Sequence, residues 1–90
     1  MSNKQKNERS YGTNLSGKRI KEARNKKGMD QAELTAALEI EQGIKLYRSA
    51  LGLIEQQKRK VSDLELVAFS RVLKVSILWL LFGDEQEDIK

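Results

Sequence analysis

Two tetrapeptides, Asp30-Gln-Ala-Glu33 and Ser62-Asp-Leu-Glu65, do most to restrict what this chain can fold into. In each, a short acceptor side chain is followed three residues later by a glutamate. In a capping box of this kind the cap and the third helical residue satisfy each other's backbone N–H groups. Apolar residues at helical spacing follow both: Leu34, Ala37 and Leu38 after the first, and Leu64, Leu66, Val67, Ala68, Phe69, Val72 and Leu73 after the second. The first box predicts a helix running to around Glu41. The second predicts a helix whose apolar positions surround most of the cylinder, making it the central, most buried one.

Three more helices follow from the same kinds of signal. Ser16, with Leu15 before it and Ile20 four residues after it, is placed as an N-cap inside a hydrophobic staple. That helix runs to about Lys27 with Ile20, Ala23 and the stem of Arg24 inward, and Gly28 supplies a left-handed stop. Gln42-Gly43 interrupts the second helix, and Ile44 and Leu46 form an apolar crossing segment. The segment Arg48-Ser-Ala-Leu-Gly-Leu-Ile-Glu55 is then a third helix with Leu51 and Ile54 inward. After the turn at Lys74-Val75, Ser76 caps a last helix from Ile77 to Phe82, ended by Gly83. The expected fold is all-α, a five-helix domain over residues 15–83. Residues 1–14 hold only Met1 and Tyr11 as sizeable apolar side chains and are expected to form a flexible basic arm; residues 84–90 form an acidic tail. What remains is near the lower size limit for folding without metal or disulfide.

The chain has neither Cys nor His. Disulfides, thiol nucleophiles and cysteine zinc sites are therefore excluded, and the commonest general base and metal ligand are missing together. There is no glycine-rich loop followed by Lys-Ser or Lys-Thr for holding nucleotide phosphates. No catalytic residues, metal or cofactor are expected, and an enzyme is not. The longest apolar stretch, Val75 to Phe82, is too short to span a bilayer, and the polar N-terminus lacks a signal-peptide core. A cytoplasmic protein without membrane contact is the expectation.

The net charge of +4 conceals a strong local asymmetry. Residues 1–27 hold nine Lys or Arg against Glu8 and Glu22, and residues 48–60 hold Arg48, Lys58, Arg59 and Lys60 against Glu55. The intervening segment and the C-terminus are net acidic. Two basic stretches brought onto one face suit a polyanion, although a basic arm alone is also an ordinary solvated surface.

The runs Gly17-Lys-Arg-Ile-Lys-Glu-Ala-Arg24, Met29-Asp-Gln31-Ala-Glu-Leu34, Ile54-Glu55, Val61-Ser-Asp-Leu-Glu-Leu66 and Leu73-Lys-Val-Ser-Ile-Leu-Trp-Leu-Leu-Phe-Gly83 resemble the Cro and phage-repressor type of helix-turn-helix, the XRE-like family. The resemblance covers about three quarters of the chain. It implies a five-helix, lambda-repressor-like DNA-binding domain whose second and third helices form the helix-turn-helix, with the third in the major groove. Arg24 and Glu55 match a partly buried ion pair between the first and third helices. Both also fall on otherwise apolar faces, where a paired charge is tolerated and an unpaired one is expensive. Gln31 matches a glutamine that contacts phosphate, although plain helix capping also accounts for it.

Arg48, Ser49, Gly52 and Leu53 match base-facing positions. Arg48 suits the acceptor edge of guanine or a phosphate. Leu53 suits either a thymine methyl group or the edge of the core or a protein contact. Gln56, Gln57, Lys58, Arg59 and Lys60 match a loop that tracks the DNA backbone. Two departures stand out. The Gln31 to Glu55 spacing is about six residues longer than in compact members of the family, predicting an extended connection that either shifts the third helix or adds a phosphate contact through Lys45. Tyr47 stands where a Ser, Thr or Asp cap is usual, with stacking or a hydrogen bond near the backbone as its alternative role.

The resulting expectation is a sequence-specific regulator of transcription, a repressor, bound to two-fold double-stranded DNA as a homodimer through the C-terminal helix, with Ile77, Trp79 and Phe82 as contact candidates. The alternative is an antitoxin or another protein-interaction module on the same fold.

Overall fold

The computed structural model describes residues 12–84. All regular elements among them are helices: α1 Gly17–Lys26, α2 Gln31–Gln42, α3 Arg48–Glu55, α4 Asp63–Leu73 and α5 Ile77–Phe82. The fold is therefore all-α with five helices. Most of the expected arm and tail lies outside the described residues.

Both capping boxes form. The Glu33 N–H donates to Asp30 Oδ1 at 2.8 Å while the Asp30 N–H donates to Glu33 Oε1 at 2.8 Å. In α4 the corresponding bonds run from the Glu65 N–H to Ser62 Oγ at 3.1 Å and from the Ser62 N–H to Glu65 Oε1 at 3.0 Å. α1 closes at Gly28, whose φ of 71° lets the Met29 N–H reach back to the Arg24 carbonyl at 3.1 Å. α2 extends to Gln42 and stops at left-handed Gly43, so the connection to α3 is a longer loop. In α5 the Trp79 N–H donates to Ser76 Oγ at 2.9 Å.

The start of α1 departs from expectation. Ser16 has helical backbone angles and makes no side-chain cap; the Gly17 N–H donates instead to Asn14 Oδ1 at 2.7 Å. Asn14 wins because its longer amide can cap with its oxygen and donate with its nitrogen at once. Its Nδ2 reaches the Ile54 carbonyl at 3.1 Å and the Arg59 carbonyl at 2.8 Å. Leu15, just ahead of the helix, is 36% exposed. The arm boundary moves as well. Thr13 and Asn14 belong to the folded domain, with the Thr13 N–H and hydroxyl both donating to the Gln57 carbonyl at 2.9 and 3.0 Å.

The core is built from Ile20 on α1, Leu34 and Leu38 on α2, Leu51 and Ile54 on α3, Phe69 on α4 and Leu80 on α5, all without solvent exposure. α1 crosses α3 so closely that a Cβ on Gly17 would overlap the Ile54 carbonyl oxygen. α4 is among the most buried helices, but not every one of its apolar positions faces the core. It buries Ala68, Phe69, Val72 and Leu73, but Leu64 is 71% exposed and Leu66 and Val67 are only half-buried. Five short helices supply too little material to cover one of their number on every side. Arg19 of α1 ends α5, donating from Nε and Nη2 to the carbonyls of Leu80 and Leu81 at 3.2 and 2.9 Å. A cation there also opposes the negative end of the helix dipole. No helix among the described residues is long and apolar enough to cross a membrane.

Candidate nucleic-acid interface

α3 divides its eight residues between two sides. Leu51, Ile54 and Glu55 are buried, whereas Arg48, Ser49 and Leu53 are exposed and Gly52 is half-exposed. The inward acid is fully accommodated. Arg24 Nε donates to Glu55 Oε2 at 2.8 Å, Arg24 Nη2 to Glu55 Oε1 at 3.0 Å, and Arg24 Nη1 to the Met29 carbonyl at 2.9 Å. The two side chains are only 9% and 3% exposed, so each depends on the other for what water would have supplied. The hydrogen bond to Glu55 holds the Arg24 guanidinium above its ordinary pKa against the opposing effect of burial.

Gln31 joins this network: its Nε2 donates to Glu55 Oε1 at 3.1 Å, tying the first residue of α2 to the last of α3. Its side chain thus does not cap its own helix, and one amide N–H and the amide oxygen remain for a ligand. Arg48, Gln31, Arg24, Asp30 and Ala32 line one shallow cleft where the N-terminal ends of α2 and α3 converge.

The beginning of α3 is open. Tyr47 provides no side-chain cap and the first turn holds no acid, so the positive end of the dipole is not offset from within the helix. Tyr47 is 69% exposed, and Lys45 Nζ lies 6.0 Å from the centre of its ring, at the outer limit of a cation–π contact. The extended connection thus brings Lys45 and Tyr47 to the same end of α3 as Arg48.

The other end is closed. Gln57 adopts a left-handed φ of 64°, and the Lys58 N–H reaches the Leu53 carbonyl at 2.8 Å. A residue with a Cβ pays roughly 1–2 kcal/mol for that conformation. The Gln57 side chain offsets part of this cost by donating to the Asn14 carbonyl at 3.1 Å. Arg59 is committed as well: its two terminal nitrogens hold Glu65 at 3.0 and 3.1 Å, and Nη1 also donates to the Lys60 carbonyl at 2.9 Å. Burial favours the neutral Glu65 carboxyl, but the hydrogen bonds from Arg59 and Ser62 outweigh it and hold its pKa below the ordinary value. The same pair raises Arg59, with burial opposing.

Of the expected backbone-tracking loop, Gln56, Lys58 and Lys60 remain exposed, while Arg59 serves the scaffold. Its Nη1 and Nη2 are engaged by Glu65 and the Lys60 carbonyl, while the side chain stays 35% exposed. Asn14, Gln57 and Arg19 are structural contributors that the helical periodicity does not reveal. Asn14 had a local signal, as a cap-forming residue, but it competes in sequence with Ser16.

On α5, Leu78 is 55% and Phe82 is 37% exposed, and they lie one turn apart on the outward side. Ile77 and Trp79 are half-buried, with Trp79 packed against the core edge in a groove shared with Lys26, Leu73 and Val75. Among the described residues, no group of acidic side chains is arranged to hold a metal ion. Lys45, Arg48, Lys58 and Lys60 have no ion-pair partner among the described residues, so the surface around α3 offers unneutralised positive charge at both ends of a helix that presents no acid. Such a surface can hold a polyanion and present Arg48 and Ser49 to hydrogen-bonding edges. No protein-family model, curated protein or solved structure matches this chain.

Proposed function

We propose that this protein is a sequence-specific double-stranded DNA-binding regulator of transcription, acting as a repressor, with α3 as the helix that enters the major groove. The observation that carries this reading is the division of α3: its one acid, Glu55, is turned inward and paired, and Arg48, Ser49, Gly52 and Leu53 are on the accessible side, with Lys45 before the helix and Lys58 after it in the chain. In this reading Arg48 and Ser49 meet base edges, while the open N-terminus of α3, Lys45, Tyr47 and the remaining Gln31 N–H contact phosphates. Gln56, Lys58 and Lys60 follow the backbone beyond the helix. Blocking a promoter requires no further catalytic group.

A homodimer joined through Leu78 and Phe82 of α5 would place two copies of α3 on one side of the duplex. Successive half-sites would then fall roughly 34 Å apart. The test is selection of bound duplexes from a random pool, followed by titration at several salt concentrations. Expected are an enriched two-fold sequence and an affinity that falls steeply with salt, with a log–log slope of about −2.7 per protomer if Lys45, Lys58 and Lys60 meet phosphates. Equal, weak binding to every duplex would remove sequence-specific repression.

The exposed Leu53 and Tyr47 favour one other reading, a protein-interaction module such as an antitoxin. That reading requires Arg48→Ala to leave duplex binding unchanged in a mobility-shift assay.

A further inference from the structure

The outward side of α3 is bare at its centre. A Cβ added to Gly52 would meet only Gln31 Nε2 at 3.9 Å, an ordinary contact, so no neighbour within the protein requires a glycine there. Glycine is nevertheless among the least favourable residues in a helix interior. Leu53 beside it is 44% exposed, and the fold uses its carbonyl, which accepts from the Lys58 N–H, more than its side chain. Lys45 and Arg48 before it in the chain and Lys58 after it have no ion-pair partner among the described residues, and Glu55, the acid of α3, is turned away and held by Arg24. The complementary surface is apolar at one point and anionic around it. In duplex DNA the major-groove edge of thymine carries an exposed methyl group, and phosphates rim the groove.

We propose that Gly52 and Leu53 read a thymine methyl group next to a guanine read by Arg48. The inference rests on the DNA-binding reading above and adds the base preference of the same site. The open space over Gly52 receives the methyl, and the Leu53 side chain covers it from the side. Arg48 precedes Leu53 by about 7.5 Å along the axis at 1.5 Å per residue, so its fork meets guanine O6 and N7 within about two base-pair steps of the thymine.

The experiment begins with the selected duplex and the full chain. Each thymine is replaced in turn by deoxyuridine, which removes the methyl and leaves every hydrogen-bonding group, and binding is titrated by fluorescence anisotropy. One thymine in each half-site, within two steps of a guanine, is expected to be sensitive, with affinity falling about fourfold per methyl lost. Leu53→Ala is expected to bind thymine and uracil duplexes equally. Gly52→Ala is expected to melt at an unchanged or higher temperature and yet lose the thymine preference, because its own methyl occupies the space. If a selected duplex is bound specifically and every replacement is neutral, or if Leu53→Ala keeps the thymine preference, the methyl contact is wrong and DNA recognition stands. If selection enriches no sequence, both readings fall.

Discussion

The two ends of α3 carry similar charge and are built in opposite ways. At its start, Tyr47 leaves the leading N–H groups uncapped, and Arg48 and Lys45 stand free of ion pairs among the described residues. At its finish, Glu55 is clamped by Arg24, the Ile54 and Arg59 carbonyls are taken by Asn14, Gln57 bonds back to Asn14, and Arg59 is locked to Glu65. The closed end fixes where the helix lies, which lets the open end be spent on a ligand. Basic residues a few positions apart thus divide into those that hold the fold and those that remain available.

The contrast is most severely tested at the closed end. Arg24→Ala leaves Glu55 buried with only Gln31 as a neutral partner and is expected to cost about 3–5 kcal/mol, enough to unfold a small domain at moderate temperature, as read by thermal denaturation. Asn14→Ala removes the α1 cap and two bonds to the end of α3, with an expected loss of about 2 kcal/mol in urea unfolding. A loss as small as that of a surface substitution would break the claim that this end is the fixed one. At the open end the sign reverses. Tyr47→Ser supplies a missing cap and is expected to raise stability by about 0.5–1 kcal/mol. Lys58→Ala is expected to change stability by less than about 0.5 kcal/mol while reducing the salt slope of DNA binding by about 1. An equal destabilisation in Lys58→Ala and Arg59→Ala would erase the distinction within the loop.

The smallest effect concerns pH. Because the Glu65 carboxyl is held below its ordinary pKa, its contribution is fully present above the ordinary glutamate range and is lost as pH falls through the folded-state value. Wild-type stability should therefore decline in that acid window more steeply than that of Glu65→Gln.

Much of the scaffold is legible in residue order because its causes are local. The capping boxes, Gly28, Gly43 and Ser76 each act within a few residues, and the α3 inward positions Leu51 and Ile54 follow from helical spacing. The arm boundary and the duty of Arg59 were not legible, since they depend on Asn14 meeting the end of α3 and on Glu65 being presented by the next helix. Sequence likewise overstated the burial of α4, because an apolar cylinder reveals nothing about how much chain is left to cover it. Around the candidate site, the outward side of α3 was readable from periodicity, but the engagement of Gln31 with Glu55 required the packing of α2 on α3.

The contacts of Asn14 with Ile54 and Arg59 bridge separations of 40 and 45 residues. During synthesis, Asn14 emerges before these partners and can find them only after the whole of α3 and its following loop have appeared. Closing so long a loop carries an entropic cost that neighbouring helices do not. α3, with eight residues and no side-chain cap at its start, is too short to persist by itself and depends on its tertiary contacts. The helix on which recognition would depend is thus held at its end by a residue made 40 positions before it.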